Sequence, residues 1–248
     1  MLTIILFLFI FKEYDCALLF NDYELVNGSI DVFKRLEPIN VGSRPEYFDW
    51  RLKKAVSPVK NQQGCGACWA FSTIAGIESQ LIIRLTQDIV LSEQFLIDCD
   101  DANVGCGYGS LLQTFANIVT KFGGVLQSRD YYPYGGPVPV IGFRRVSSDE
   151  EVMAEFLYNY GPLSAAINSA SMRTYQGNAI DEPTDEKCNP NDLDHAVLIV
   201  GYSVFGMVPY WIIKNSWGTS WGDGGYYYLV RGRNACGIAS DVSFAFVD

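Results

Sequence analysis

Apolar residues recur at helical spacing through the first half of the chain and at strand spacing through the second. After Cys68, the positions Phe71, Ile74, Ala75, Ile77 and Leu81 follow one another at intervals of about three and four. This spacing predicts an amphipathic helix running to about Leu85. Ser92 is placed to cap a short helix through Cys99. Leu111, Leu112, Phe115, Ile118, Val119 and Phe122 form a further stripe, stopped by Gly123-Gly124. Ser148 with Glu151 reads as a capping box for a helix ending at Gly161-Pro162, and the acids there mark a helix start and nothing more. Beyond Pro162 the segments 163–167, 195–202, 210–214, 226–230 and 244–247 are short and rich in β-branched and aromatic residues, with Gly, Pro, Asn and Asp between them. Helices first and strands afterwards predict an α+β fold of two lobes. The boundary falls near residues 150–165, and a cleft between the lobes is the default ligand site.

Composition supports a packed core. Of the 248 residues, 49% are apolar and 19% charged, too few charges for a disordered chain. The formal charge of −10 speaks against nucleic acid or an anionic membrane as a main partner. Residues Leu2 to Phe11 are apolar apart from Thr3. Ten residues make about 15 Å of helix, too short for a bilayer core of about 30 Å. The stretch fits a secretory signal over residues 1–17, so no membrane association is expected after its removal. The sequon Asn27-Gly28-Ser29 agrees with that route.

The chemistry gathers on Cys68, which stands where a helix begins in the run Gln62-Gln63-Gly64-Cys65-Gly66-Ala67-Cys68-Trp69. A helix N-terminus presents unpaired N–H groups and the positive end of the dipole, which favour the thiolate that attacks carbonyl carbon. The chain has one histidine, His195, to serve as base and then as acid to the leaving amine. Asn215 is placed to hold the imidazole tautomer, and Trp217 to shield that bond from water. Gln62 and the Cys68 backbone N–H are candidate oxyanion donors. Cys65 and Cys68 alone could suggest a redox pair or half a zinc site. No second such pair exists and one histidine is available, so no metal and no cofactor are expected.

Gln62, Cys68, His195 and Asn215, in this order and within Cys-Gly-Ala-Cys-Trp-Ala-Phe, Leu-Asp-His-Ala-Val and Lys-Asn-Ser-Trp-Gly, resemble the four catalytic positions of the papain-like cysteine proteases. The flavour is that of the cathepsin L group and the viral cathepsins. The resemblance runs from about Pro45 to the end. It implies a papain-like two-lobed fold, with a helical N-terminal lobe over about 45–155 and an antiparallel, β-barrel-like lobe over about 156–248. A short pro-region would occupy 18–44, without trace of the family's long helical prosegment. The implied activity is that of a cysteine endopeptidase, working through a thioester acyl-enzyme on peptides and proteins. Protein inhibitors are further partners, the state is a monomer, and the location is a lysosome-like acidic compartment or the extracellular space. The alternative is a catalytically impaired papain-fold homologue that binds peptides or proteins.

The resemblance also implies disulfides Cys65–Cys106 and Cys188–Cys236. It leaves Cys99 as an unpaired thiol, because no cysteine follows the Tyr131–Gly135 stretch where its partner is expected. By motif count, Asp241 falls at the floor of the main specificity pocket, with Leu193, Ala196 and Ala166 as walls. Gly107, Tyr108 and Gly109 would line the cleft, where the family usually has Asn-Gly-Gly.

Overall fold

The computed structural model describes residues 42, 44–131 and 136–247. The expected signal and sequon, the expected pro-region apart from residues 42 and 44, Cys16 and residues 132–135 lie outside these.

The expected helices form where the apolar spacing places them. Helix α1 (Cys68–Leu85) ends at Thr86, whose left-handed backbone closes the last turn onto the Ile82 and Leu81 carbonyls. Helix α2 (Glu93–Cys99) is capped by Ser92, whose hydroxyl accepts from the Phe95 N–H. Helix α3 (Leu111–Asn117) runs into a π-helical turn over Ile118–Phe122 that stops at Gly123. Helix α4 (Glu150–Tyr160) departs from expectation at its start. Asp149, not Ser148, is the cap, and its carboxylate accepts from the N–H groups of Glu151 and Val152. A carboxylate at this position also meets the positive helix end, which a serine hydroxyl does not.

Strands β1 (Phe48–Asp49), β4 (Gly142–Arg145), β5 (Leu163–Ile167), β6 (His195–Phe205), β7 (Val208–Lys214), β8 (Tyr226–Val230) and β9 (Val242–Phe246) make one sheet. Its order is β4-β9-β5-β6-β7-β8, antiparallel throughout, with β1 pairing along β6 beyond the end of β5. The sheet is open at β4 and β8 and does not close into a barrel. A small ladder joins β2 (Gly124–Val125) and β3 (Val138–Pro139).

Two main hydrophobic clusters result. One packs α1, α2, α3 and the π turn, with Trp69, Phe95, Phe115 and Phe122 among its large side chains. The other packs α4 against the sheet, around Trp211, Tyr202, Tyr227 and Phe244. The first and last stretches of the described residues cross between them. Phe48 and Trp50 pack on the sheet cluster, while Ala245 and Val247 join the helical one.

Helix α1 is the exception to simple amphipathicity. From Trp69 to Leu81 only Phe71 is not buried, and the buried set includes Ser72, Glu78 and Gln80. The helix is wedged between the helical cluster and the sheet, so its polar positions need partners there. Ser72 donates to the Val197 carbonyl at 2.7 Å, and its own carbonyl accepts from Ser164 at 3.0 Å. Gln80 donates to the Tyr160 carbonyl at 3.0 Å. Glu78, fully buried, accepts from Ser57, from Lys60 at 2.8 Å and from the Leu91 N–H at 2.9 Å. Satisfied polar groups let a helix be enclosed on all sides.

Lys214 ends β7 inside this seam. It is 5% exposed and donates to Ser57 at 3.0 Å. Burial pushes its ammonium down to about 8, against the opposing pull of Glu78. An unfolded chain keeps that proton to about pH 10.4, so between pH 8 and 10.4 the unfolded state binds more protons and stability rises with pH. Below pH 8 the buried charge costs stability. Lys214→Met should remove this rise. Urea unfolding at pH 7 and pH 10 should show the wild type gaining up to about 3 kcal/mol on the variant at the higher pH.

Candidate active site

Cys68 opens α1, and the turn before it is set by covalent and backbone ties. Cys65 and Cys106 form a disulfide, and the Gly66 N–H donates to the Cys106 carbonyl at 2.8 Å. A Cβ at Gly66 would lie 2.5 Å from that same oxygen, and one at Gly109 would lie 2.5 Å from the Trp69 ring. Glycine is needed at Gly66 because a second loop passes this close, and at Gly109 because the Trp69 ring does. The second disulfide joins Cys188 to Cys236.

His195 and Asn215 come together through the β6–β7 hairpin. His195 is the first residue of β6, and Asn215 follows the last residue of β7. Asn215 Oδ1 lies 2.7 Å from His195 Nε2. That oxygen can only accept, so it fixes the proton on Nε2 and turns Nδ1 toward the other side of the ring. Asn215 is 2% exposed, and the Trp217 ring lies 4.8 Å from the imidazole, centroid to centroid. Trp221 in turn packs edge-on against Trp217.

Gln62 is tied to the same loop. Its N–H donates to the Ser216 carbonyl at 2.9 Å, and Asn61 bridges Trp217. Ser216 Oγ donates to Gln62 Oε1 at 2.6 Å, which leaves Nε2 facing the nucleophile turn, where it donates to the Cys65 carbonyl at 2.8 Å. One Nε2 hydrogen remains.

Cys68, His195 and Gln62 line one open cleft of about 520 Å³. Gly107, Tyr108 and Gly109 form one rim, with Tyr108 73% exposed. Ala166, Leu193, Ala196, Trp217 and Asp241 line it as well, so every residue expected to contact a ligand borders this cleft. Asn215 lies behind it. Asp241 is shared with Arg145, whose Nη2 is 3.7 Å from its carboxylate.

Cys99 differs from expectation. It is disulfide-bonded, and its partner lies outside the described residues; among these, Cys68 is the free thiol. The partner was expected just after Tyr131–Gly135, and it lies elsewhere in the chain. Among the described residues, no group of three or more His, Cys, Asp or Glu is arranged to hold a metal ion.

Sequence reasoning missed a polar cluster beside the histidine. Asp194 accepts from the Ser169 N–H at 2.6 Å and from the Ser169 hydroxyl at 3.0 Å, and Arg173 reaches it at 3.2 Å. All three border the cleft. Ser169 and Arg173 belong to no motif of the chain, Asp194 lies in the block that carries His195, and only folding brings the three together. The one sequence signal was an acid directly before the single histidine.

Burial pushes the Cys68 thiol up, while the backbone N–H groups of Ala196 and Trp69 pull it down and Asp194 adds a further upward push. Burial pushes His195 down, opposed by its bond to Asn215 and by the Asp194 charge. Burial thus disfavours each charge taken singly. The N–H groups around sulfur favour its negative charge, while the Asp194 carboxylate favours the imidazolium and opposes the thiolate.

Among solved structures, the fold matches digestive procathepsin L 3 of the Tenebrio molitor larval midgut, with a TM-score of 0.74 and 35% identity, over 85% of this chain and 73% of that one. A papain-like α+β fold thus surrounds the cleft. Residues 44–246 match the model of the papain family of cysteine proteases, and the chain belongs to that family. It is 37% identical over 265 residues to cysteine proteinase 1 of Dictyostelium discoideum, covering 96% of this chain and 75% of that protein. It is 41% identical over 213 residues to the viral cathepsin of Lymantria dispar multicapsid nuclear polyhedrosis virus, covering 80% of this chain and 58% of that protein. The chain therefore spans less than two thirds of the viral relative's length.

Asp194 acts on both groups in the same direction. Asp194→Asn should move the Cys68 and His195 titrations to lower pH together, read in the pH dependence of Cys68 alkylation by iodoacetamide. A profile that stays in place would show that neither group feels this charge.

Proposed function

We propose that this chain is a cathepsin-like cysteine endopeptidase in which Cys68, His195, Asn215 and Gln62 carry the reaction. The observation that carries the reading is the convergence of a free thiol, an oriented imidazole and an oriented amide on one open cleft. His195 Nδ1, the nitrogen that Asn215 leaves open, takes the thiol proton. The sulfur of Cys68 then adds to the scissile carbonyl carbon. The resulting oxyanion is met by the Cys68 N–H and the free hydrogen of Gln62 Nε2. As the C–N bond breaks, His195 gives its proton to the leaving amine, and a thioester remains on Cys68. Water, deprotonated by His195, hydrolyses the thioester and restores the thiol. Asn215 holds the ring through both transfers, and Trp217 keeps water from that bond.

Asp241, with Ala166, Leu193 and Ala196, forms the pocket that selects the substrate. A carboxylate beside apolar walls accepts Arg or Lys as well as Phe or Leu. Arg145 is mostly exposed, so its ion pair with Asp241 at 3.7 Å is weak and leaves the carboxylate open to a substrate cation. The disulfides fit a secreted or lysosomal setting.

The test is turnover of a Phe-Arg peptide together with labelling of Cys68 by a thiol-directed inactivator. Cys68→Ala should abolish both, and Gln62→Ala should lower kcat by about 100- to 1000-fold. A folded protein that binds the peptide without Cys68-dependent hydrolysis would instead be a binding homologue. For the pocket, Asp241→Ala should lose cleavage of Arg-containing peptides and keep that of Phe or Leu ones. Equal loss of both would remove Asp241 from the specificity role.

A further inference from the structure

The charged side chains bordering the cleft are unevenly placed. Asp241 lies with Ala166, whose N–H donates to the Asp241 carbonyl at 2.9 Å. Arg173, the one Lys or Arg on the lining among the described residues, lies instead against Asp194, directly before His195. In acyl transfer the imidazole protonates the departing amine, so the surface beyond His195 is the one that the leaving half of the substrate must cross.

Arg173 is built to reach a ligand there. Its backbone sits in a short 3-10 turn (Met172–Thr174) anchored by the fully buried Met172. Its side chain is 69% exposed. Asp194 does not depend on it, because the Ser169 N–H and hydroxyl already occupy one oxygen each. A guanidinium carries five N–H donors, and one contact at 3.2 Å leaves most of them for a planar, bidentate acceptor.

Resting on the peptidase reading above, we propose that Arg173 is a specificity residue for the leaving half of the substrate, selecting a carboxylate within the first two residues after the scissile bond. That carboxylate is either an Asp or Glu side chain or the free C-terminus of a short substrate. The pairing is partly solvated, so the expected preference is modest, roughly 3- to 10-fold.

The test uses the full chain and quenched fluorescent peptides that differ only in the two residues after the cleaved bond, carrying Asp, Asn or Lys. A parallel pair ends two residues after that bond as a free acid or as an amide. The wild type should favour Asp over Asn by about 3- to 10-fold in kcat/KM and disfavour Lys, and 0.5 M NaCl should narrow the difference. Arg173→Gln should bring the Asp-to-Asn ratio to about 1, and Arg173→Lys should restore part of it. Preference for the free acid over the amide would identify a C-terminal carboxylate as the favoured source, and preference for internal Asp alone would identify the side chain. An equal rate on Asp and Lys peptides, or an Asp-to-Asn ratio unchanged in Arg173→Gln, would overturn the assignment. Binding of the same leaving-half peptides to Cys68→Ala, followed by fluorescence anisotropy, separates the two claims. An Asp preference there, together with a wild-type chain that hydrolyses none of the peptides, would keep Arg173 and reject the peptidase reading. Hydrolysis without that preference would do the reverse.

Discussion

The position of the reactive sulfur depends on the enclosure of helix α1. A helix that lies on a surface can shift or fray at its first turn with little consequence. This one is gripped along its length by a helical cluster on one side and a sheet on the other. Cys68 stands at its mouth and inherits that rigidity. The polar residues buried in the helix give it the same rigidity in another form, because Ser72, Glu78 and Gln80 are each bonded to a different neighbouring segment. Sliding the helix by one turn would break these bonds together and leave buried polar groups unpaired, which is far more costly than the loss of any one contact.

The second half of the site is held to the first by a loop pairing. Asn61 and Gln62 precede the nucleophile turn, and Ser216 and Trp217 follow the strand that delivers Asn215. Their backbone and side-chain bonds make a single unit of the amide beside the sulfur and the amide behind the imidazole. Two groups far apart in sequence therefore move together. The Cys65–Cys106 disulfide ties the glycine-bearing rim of the cleft to this unit.

Much of this was legible in the chain before folding. The three- and four-residue spacing after Cys68 set the bounds of α1, and Ser92 marked the start of α2, because caps and apolar periodicity are local physics. The four side chains proposed to carry the reaction were legible through motifs whose flanking residues fix local geometry. What failed to show depended on distant partners. The sequence pattern made α1 amphipathic, and only the sheet packed behind it explains why its polar face is buried. Asp149 displaced Ser148 as a cap because the choice depends on where the chain turns, not on which residues are eligible. The tie on Cys99 and the cluster of Ser169, Arg173 and Asp194 join segments with no shared motif. No spacing rule reaches across such a gap.

The nearness of a disulfide to the free thiol of Cys68 sets a demand on the surroundings of the protein. Cys65 is locked in an oxidised bond, while Cys68, three positions along, must stay reduced to act as a thiol. A strongly oxidising milieu would cap the free sulfur, and a strongly reducing one would open the bond that shapes its turn. The bond and the free thiol three positions away thus make opposite demands on the surrounding redox potential. Where the chain is kept, and not only how it is folded, then decides whether its chemistry is switched on.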